Sequence, residues 1–147
     1  MGNERYDVRI SNATMTFDFI SEGPRGSIKK RVQYRLIQNE NIYNLALGDV
    51  DPETDTFDDK VISDNNDSKK VLSTVAATAY TFTEKYPYAI VYAQGSNAAR
   101  TRLYRIGISN NLEELTKDFN VFGFLEDIGW VEYRKNEDYS AFYIIRK

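Results

Sequence analysis

The feature that most constrains the fold is one long segment with helical periodicity. From Ser68 to about Tyr86, apolar residues return every three or four positions, and Pro87 follows directly. This spacing predicts an amphipathic helix, because residues three and four apart lie on the same side of a helix. Proline cannot continue a helix, so we expect it to end near Tyr86. Any fold must therefore offer this helix an apolar surface, and the "NNDS" that leads into it offers side chains for capping.

Segments with β-type alternation lie on both sides of this helix. Before it come YDVRI, ATMTFDFIS, SIKKRVQYRLI and NIYNLALGD, with the turn SEGPRG between the second and the third. After it come a short strand, YAIVYAQG, a second helix at about 97–107, a short third helix, NLEELTKDF, and closing strands in VFGFLED, GWVEYRK and YSAFYIIRK. This order predicts an α+β fold, with helices 68–86 and 97–107 packed on a mainly antiparallel sheet.

Length and composition indicate one globular domain, residues 1–147. The chain is 41% hydrophobic and 14% aromatic, which is typical of a folded protein. No run approaches the roughly 20 apolar residues of a membrane helix, so we expect no membrane partner. The first residues lack an apolar signal core and the chain has no cysteine, which predicts a cytoplasmic location.

Two absent residue types narrow the chemistry. The chain has no histidine and no cysteine, which excludes a Ser-His-Asp triad, a cysteine nucleophile and an ordinary zinc site. Proton transfer would fall to carboxylates, lysine, tyrosine or water. We expect neither a metal nor a cofactor.

Charge is distributed unevenly along the chain. The net charge of -3 argues against a general nucleic-acid binder, which is usually basic. Residues 51–67 carry seven carboxylates against one lysine, whereas residues 68–105 carry six basic residues against one carboxylate. We expect the acidic segment 49–67 to be a solvated loop. The alternatives are that it binds a cation through oxygen ligands or pairs with the downstream arginines.

Alternation in the third β-type segment, and aromatic residues near the end of the chain, suggest two further surfaces. The alternation places Ile28, Val32, Tyr34 and Leu36 on one face and the basic residues Lys29, Arg31 and Arg35 on the other. At GPRGSIKKR we expect a turn and an exposed, charged strand face; the alternative is that its four basic residues contact nucleic acid, with Tyr34 for stacking. The C-terminal aromatics are expected mostly in the core or in cross-strand pairs, and some of them at a homodimer or partner interface.

The stretch "YAQGSNAARTRLYRIGI", residues 92–108, is the main candidate site. A strand that ends in Gly-Ser and enters a helix presents free N–H groups and the positive end of the helix dipole, which suit a phosphate or carboxylate. Arginine pairs bidentately with phosphate oxygens. At 100° per residue, Asn97, Arg100 and Tyr104 fall within about 60° of one another. The predicted ligand-binding residues are Gly95, Ser96, Asn97, Arg100, Arg102 and Arg105, with Tyr104 as candidate catalytic residue.

The same stretch resembles part of a known enzyme family. "NAARTRLY" is similar to the Asn-x6-Tyr helix near the end of GNAT acetyltransferases, with Asn97 and Tyr104 at the matching separation. The resemblance implies that Tyr104 acts as general acid toward the leaving thiol of acetyl-CoA. The family's glycine-containing pyrophosphate loop should precede the long helix, where this chain has "SDNNDSKK" instead.

A chemical resemblance suggests a different enzyme class. RelE-like ribonuclease toxins cut RNA with Arg, Lys and Tyr side chains, without histidine or metal. This chain offers Tyr104 beside the arginines, with Lys69 and Lys70 upstream. Such toxins are basic, whereas this chain is acidic.

The pattern over the whole chain resembles an uncharacterised bacterial domain family of unknown function. The similar segments are GPRGSIKK, YNLALGD, NNDSKKVLSTVA and GSNAARTRLYRIGI. This resemblance implies no activity. The leading hypothesis is therefore binding of an anionic, phosphate-bearing ligand or partner at Gly95–Arg105. The alternatives are a metal-independent ribonuclease or acyltransferase, and a structural or partner-binding subunit.

Overall fold

The structure, a computed structural model, describes residues 4–11, 16–38, 41–60 and 63–147. The strands within these ranges are β1 (Arg9–Ser11), β2 (Thr16–Gly23), β3 (Gly26–Gln38), β4 (Ile42–Val50), β5 (Phe57–Asp58), β6 (Ile90–Ala93), β7 (Phe119–Leu125), β8 (Gly129–Glu132) and β9 (Ala141–Arg146). The helices are α1 (Ser68–Lys85), α2 (Ala98–Asn110) and α3 (Leu112–Asp118).

One mainly antiparallel sheet organises the described part of the chain. Its strand order is β1-β2-β3-β4-β6-β9-β7-β8, and the short β5 pairs with β4 beside this path. The first four strands form the predicted antiparallel meander. The α+β prediction is confirmed.

The sheet contains a parallel pair that the sequence did not reveal. Strand β6 runs parallel to β4 because α1 crosses over between them. The chain then passes through α2 and α3 and returns so that β9 lies between β6 and β7. This arrangement joins the N-terminal and C-terminal strands into one sheet.

Helix α1 packs on the sheet with its predicted apolar stripe. Val71, Val75, Ala79 and Phe82 all belong to the buried core. The Phe82 ring stacks on Tyr34 of β3, with 4.1 Å between the ring centroids. The helix ends at Lys85, one residue before its predicted end. None of the described helices is long and apolar enough to cross a membrane.

The ends of several elements differ from the prediction. The first strand was expected over 6–10 but begins at Arg9, because the Tyr6 N–H donates to Thr74 Oγ1 of α1 at 2.8 Å instead of joining the sheet. Residues 13–15 of the predicted second strand lie outside the described residues. Helix α2 continues to Asn110, beyond its predicted end at about 107.

Candidate functional site

The amino end of α2 is closed by hydrogen bonds within the protein. The Asn97 side chain caps the helix by accepting from the Arg100 N–H at 2.8 Å. The Gly95 N–H donates to Thr101 Oγ1 at 3.1 Å, and Ser96 Oγ donates to the Asp59 carbonyl oxygen at 2.9 Å. The predicted Gly-Ser anion site is therefore a well-capped helix start, where the protein itself occupies groups assigned to a ligand.

The three predicted arginines point in different directions. Arg100 is buried, Arg102 is exposed, and Arg105 pairs with Asp138 in the loop before β9. Their positions along the helix explain this divergence, because only Arg100 lies on the face that α2 turns toward the core. The structure does not bring the three guanidinium groups together on one concave surface.

Tyr104 is buried beside Arg100 and contacts the sheet. Its hydroxyl accepts a hydrogen bond from the Leu47 N–H of β4 at 2.9 Å. Burial raises the pKa of Tyr104 above its usual value, so the phenol keeps its proton at neutral pH. Arg100 and Tyr104 thus lie together on the inward face of α2, whereas Asn97, predicted on the same face, is the exposed cap residue of the helix.

Strand β4 has a gap in its pairing where Tyr104 approaches. On the side away from β3, β6 pairs only with Ile42–Asn44, and β5 pairs only with Asp49–Val50. Leu47 lies between these two pairings. The Tyr104 hydroxyl therefore satisfies a strand amide that neither neighbouring strand reaches.

A cavity of about 230 Å³ opens between α1, α2 and this part of the sheet. Leu47, Leu72 and Leu103 form part of its apolar wall. Its polar lining consists of Lys30, Ser63, Asp64, Asn65, Asp67, Ser68 and Arg100. We call this the α1–α2 cavity. Of the site residues predicted from the sequence, Arg100 alone lines it.

Lys30 is the second buried cation of the cavity. Its side chain is 6% exposed, and Nζ lies 2.6 Å from Asp49 Oδ1 and 3.5 Å from the Ser63 carbonyl oxygen. Sequence reasoning missed this residue, although a signal was present. Lys30 lies between Ile28 and Val32 on the same side of an alternating strand, so alternation alone places it on the core face.

The amino end of α1 forms the polar end of the cavity. The helix begins after Asp67, whose carboxylate accepts from Tyr6 Oη at 2.5 Å and from Ser21 Oγ at 2.6 Å. The predicted side-chain cap from "NNDS" is thus wrong, because Asp67 binds these two hydroxyls instead of the helix N–H groups. Helix α1 has no acidic residue in its first turn. The cavity lining at this helix end contains Ser68, the first residue of α1, together with the side chains of Asp64 and Asp67.

Buried Asn65 fixes the loop that leads into α1. Its Nδ2 donates to the Gly26 carbonyl oxygen at 2.9 Å, and its Oδ1 accepts from the Arg25 N–H at 2.7 Å. A Cβ at Gly23 would lie 2.0 Å from the Asn65 carbonyl oxygen, so the β2–β3 hairpin and this loop are in close contact. No local pattern in the sequence points to Asn65, because its bonding partners are distant in the chain.

The acidic segment 49–67 pairs with β3. Asp49 binds Lys30, while Asp55 lies 3.1 Å from Arg31 and 3.4 Å from Lys29. Arg31 lowers the pKa of the exposed Asp55 carboxyl. The described ion pairs of this segment therefore involve the basic residues of β3 and not the downstream arginines. Within the described ranges, no three carboxylates are grouped as a metal site.

Residues proposed for the ribonuclease alternative do not share one surface. Lys69 is exposed at the start of α1, while Tyr104 is buried under α2. Arg102 is exposed on α2. No described concavity brings these three side chains together, so this alternative gains no support from the geometry.

Comparison with known proteins assigns no activity. A family model described as "Family of unknown function (DUF6934)" matches residues 2–147. No curated protein and no solved structure matches the chain. The predicted membership of an uncharacterised domain family is confirmed.

Proposed function

The chain belongs to the family of unknown function DUF6934, and we propose that it binds a small phosphate-bearing ligand in the α1–α2 cavity. One observation carries this proposal. Lys30 and Arg100, which are 5% and 2% exposed, line a single cavity at the amino end of an 18-residue helix. Positive groups with N–H donors that line one cavity are the groups that recognise phosphate oxygens in proteins.

The cavity suits a ligand with an anionic end and an apolar part. Arginine matches the geometry of phosphate oxygens, and the helix amino end favours an anion by about 0.3–1 kcal/mol. Lys69 and Lys70 lie on the outer side of the same helix end. The leucine side chains that line the cavity would contact the less polar part of the ligand. Asp49 pairs with Lys30, and Arg100 also interacts within the protein; we expect the Arg100 guanidinium and the start of α1 to contact the phosphate, beside the Asp64 and Asp67 side chains of the same lining.

A carboxylate added at the helix start gives a sharp test. Titration calorimetry with inorganic phosphate, adenosine diphosphate and coenzyme A should show salt-sensitive binding to the unaltered protein. Ser68→Asp should weaken binding at least about tenfold through charge repulsion, while the melting temperature stays level or rises because an acid in the first turn stabilises a helix. Weaker binding by Ser68→Asp at an unchanged or higher melting temperature would show that the substitution affects ligand recognition and not folding.

The exposed Arg102 provides the matched control. Arg102→Ala removes a cation of α2 that does not line the cavity, so binding should be unchanged. Loss of binding in this variant would instead place the site among the arginines indicated by sequence. Absence of binding to all three probes, or equal binding by Ser68→Asp, contradicts the proposal.

Acyl transfer is the second candidate, and the topology around Tyr104 favours it. Pairing between the parallel strands β4 and β6 ends at Asn44, a long helix lies between them in the chain, and Tyr104 contacts β4 at Leu47, beyond that pairing. The resemblance to GNAT acetyltransferases implies that Tyr104 gives its proton to the departing thiolate of coenzyme A. The raised pKa of Tyr104 keeps that proton available.

Release of free thiol from acetyl-CoA in the presence of small amines tests this candidate. We expect slow thiol release that Tyr104→Phe abolishes while coenzyme A still binds. A chain that binds coenzyme A but releases no thiol supports the binding function alone.

A further inference from the structure

The face of the sheet opposite the helices carries a group of aromatic residues. The core cluster contains the inward neighbours Val91, Val121 and Ile144, so the alternating residues of these strands point to the other face. The outward rings are close together, with centroid distances of 4.6 Å for Phe122–Tyr143 and 4.8 Å for Trp130–Tyr143. We call this group the aromatic platform; it consists of Tyr92, Phe122, Phe124, Trp130 and Tyr143.

The platform presents apolar surface to the outside. Trp130 is 43% exposed even though it contacts Tyr92, Phe124 and Tyr143. None of the described helices packs on this face, since the buried residues of α1 and α2 join the core on the other side. The other four platform residues are half-buried, and a contiguous aromatic surface of this kind is typical of interaction surfaces.

The platform lies within a row of residues that crosses six strands in register. The pairings that define the row are Arg35 with Asn44, Asn44 with Tyr92, Tyr92 with Tyr143, Tyr143 with Phe122, and Phe122 with Glu132. With strands about 4.8 Å apart, the row is about 24 Å wide. Its centre is aromatic, and its two ends carry opposite charges.

The end charges are exposed, and the described ion pairs use other residues. Arg35 and Glu132 are both exposed. The basic residues in the described ion pairs are Lys29, Lys30, Arg31, Lys70 and Arg105. The row therefore presents one positive and one negative end on either side of an apolar centre.

We propose that a second copy of this chain covers the aromatic platform in a symmetric face-to-face dimer. A two-fold axis parallel to the strands, between β6 and β9, reverses the order of the row. It places Tyr92 opposite the partner's Tyr143 and Arg35 opposite the partner's Glu132. Two sheets with aligned strands pack in this way in β-sandwiches. A nucleic acid fits this row less well, because one end of the row is a carboxylate.

Charge reversal at the two ends tests the dimer. Analytical ultracentrifugation should show a monomer–dimer equilibrium for the unaltered protein. Arg35→Glu and Glu132→Arg should each weaken the dimer by about tenfold or more, because each places like charges opposite one another twice. The double variant should recover the original affinity. Arg25→Glu, at the exposed β2–β3 turn away from the row, is the matched control and should leave the equilibrium unchanged.

Trp130 provides a second readout at the platform, because it is the single tryptophan of the chain. Its fluorescence should shift to shorter wavelength with rising protein concentration, and each single reversal should move that shift to higher concentration. A monomer at every concentration, single variants that dimerise normally, or a double variant that stays weak would overturn the proposal. So would an oligonucleotide that quenches Trp130 by binding the monomer.

Discussion

Lys30, which lines the α1–α2 cavity, forms a buried ion pair with Asp49. These residues are directly opposite each other in the β3–β4 register, and their side chains meet at 2.6 Å with little exposure. A buried ion pair contributes little over well-packed apolar residues, but removal of one partner leaves an uncompensated charge. The main effect of the pair on stability is therefore the cost of leaving one of its two charges buried without a partner.

Lys30→Met should lower the free energy of unfolding by about 3–5 kcal/mol, because it leaves the Asp49 carboxylate buried without its cation. The double variant Lys30→Met with Asp49→Leu should recover most of that loss. Denaturant unfolding of the two variants measures the difference. Equal losses in both would mean that packing around Lys30, and not charge, sets the cost.

Helix α2 illustrates how tertiary contacts decide which face of an element is buried. Its sequence shows an apolar stripe at Ala99, Leu103 and Ile106, yet Ala99 and Ile106 are exposed. The buried face contains Arg100, Tyr104 and Gly107 instead. Three tertiary contacts favour this orientation. Arg100 lines the cavity, the Tyr104 hydroxyl accepts from the Leu47 N–H, and Gly107 lies so close to α1 that a Cβ there would approach Leu72 to 3.1 Å.

Neither helix start has the role that the sequence predicted, which was ligand binding for α2 and side-chain capping for α1. The start of α2 has a glycine and an asparagine, which predicted ligand binding, but those residues bond within the protein. The start of α1 has an aspartate that was expected to cap the helix but bonds Tyr6 and Ser21. Both helix starts line the cavity, α1 with Ser68 and α2 with Ala99 and Arg100, and this follows from how the helices are placed on the sheet.

At the scale of the molecule, buried tyrosines couple stability to alkaline pH. Burial is the largest cause that raises the pKa of Tyr34, Tyr104 and Tyr133, and it raises the pKa of Tyr80 to about 12. In the unfolded chain these phenols return to the usual pKa near 10. The unfolded state then releases protons more readily than the folded state above that pH.

We therefore expect the free energy of unfolding to be level with respect to these tyrosines below about pH 10 and to fall as the pH rises through 10 toward 12. Chemical denaturation between pH 8 and 12 measures this slope. Tyr34→Phe should reduce the slope, because it removes the phenol whose hydroxyl is buried against Thr78 Oγ1. An unchanged slope in this variant would show that Tyr34 ionises equally in both states.

The sequence by itself determined the properties that depend on near neighbours. Helical spacing predicted α1 and its buried stripe, alternation predicted the first four strands, and Pro87 predicted where the helix stops. These features follow from the 3.6-residue and two-residue periods of backbone geometry. Alternation also places Lys30 on the core face of β3, although only its burial in the structure made that residue a candidate for the site.

Only the tertiary structure decided the strand order, the partners of the charged residues and the location of the candidate site. The parallel β4–β6 pair joins residues almost fifty positions apart, and the cavity combines side chains from β3, α1 and α2. A carboxylate or guanidinium group can form an ion pair with any oppositely charged group within reach. Local sequence therefore cannot fix which one it meets, whereas the packing of the helices on the sheet does.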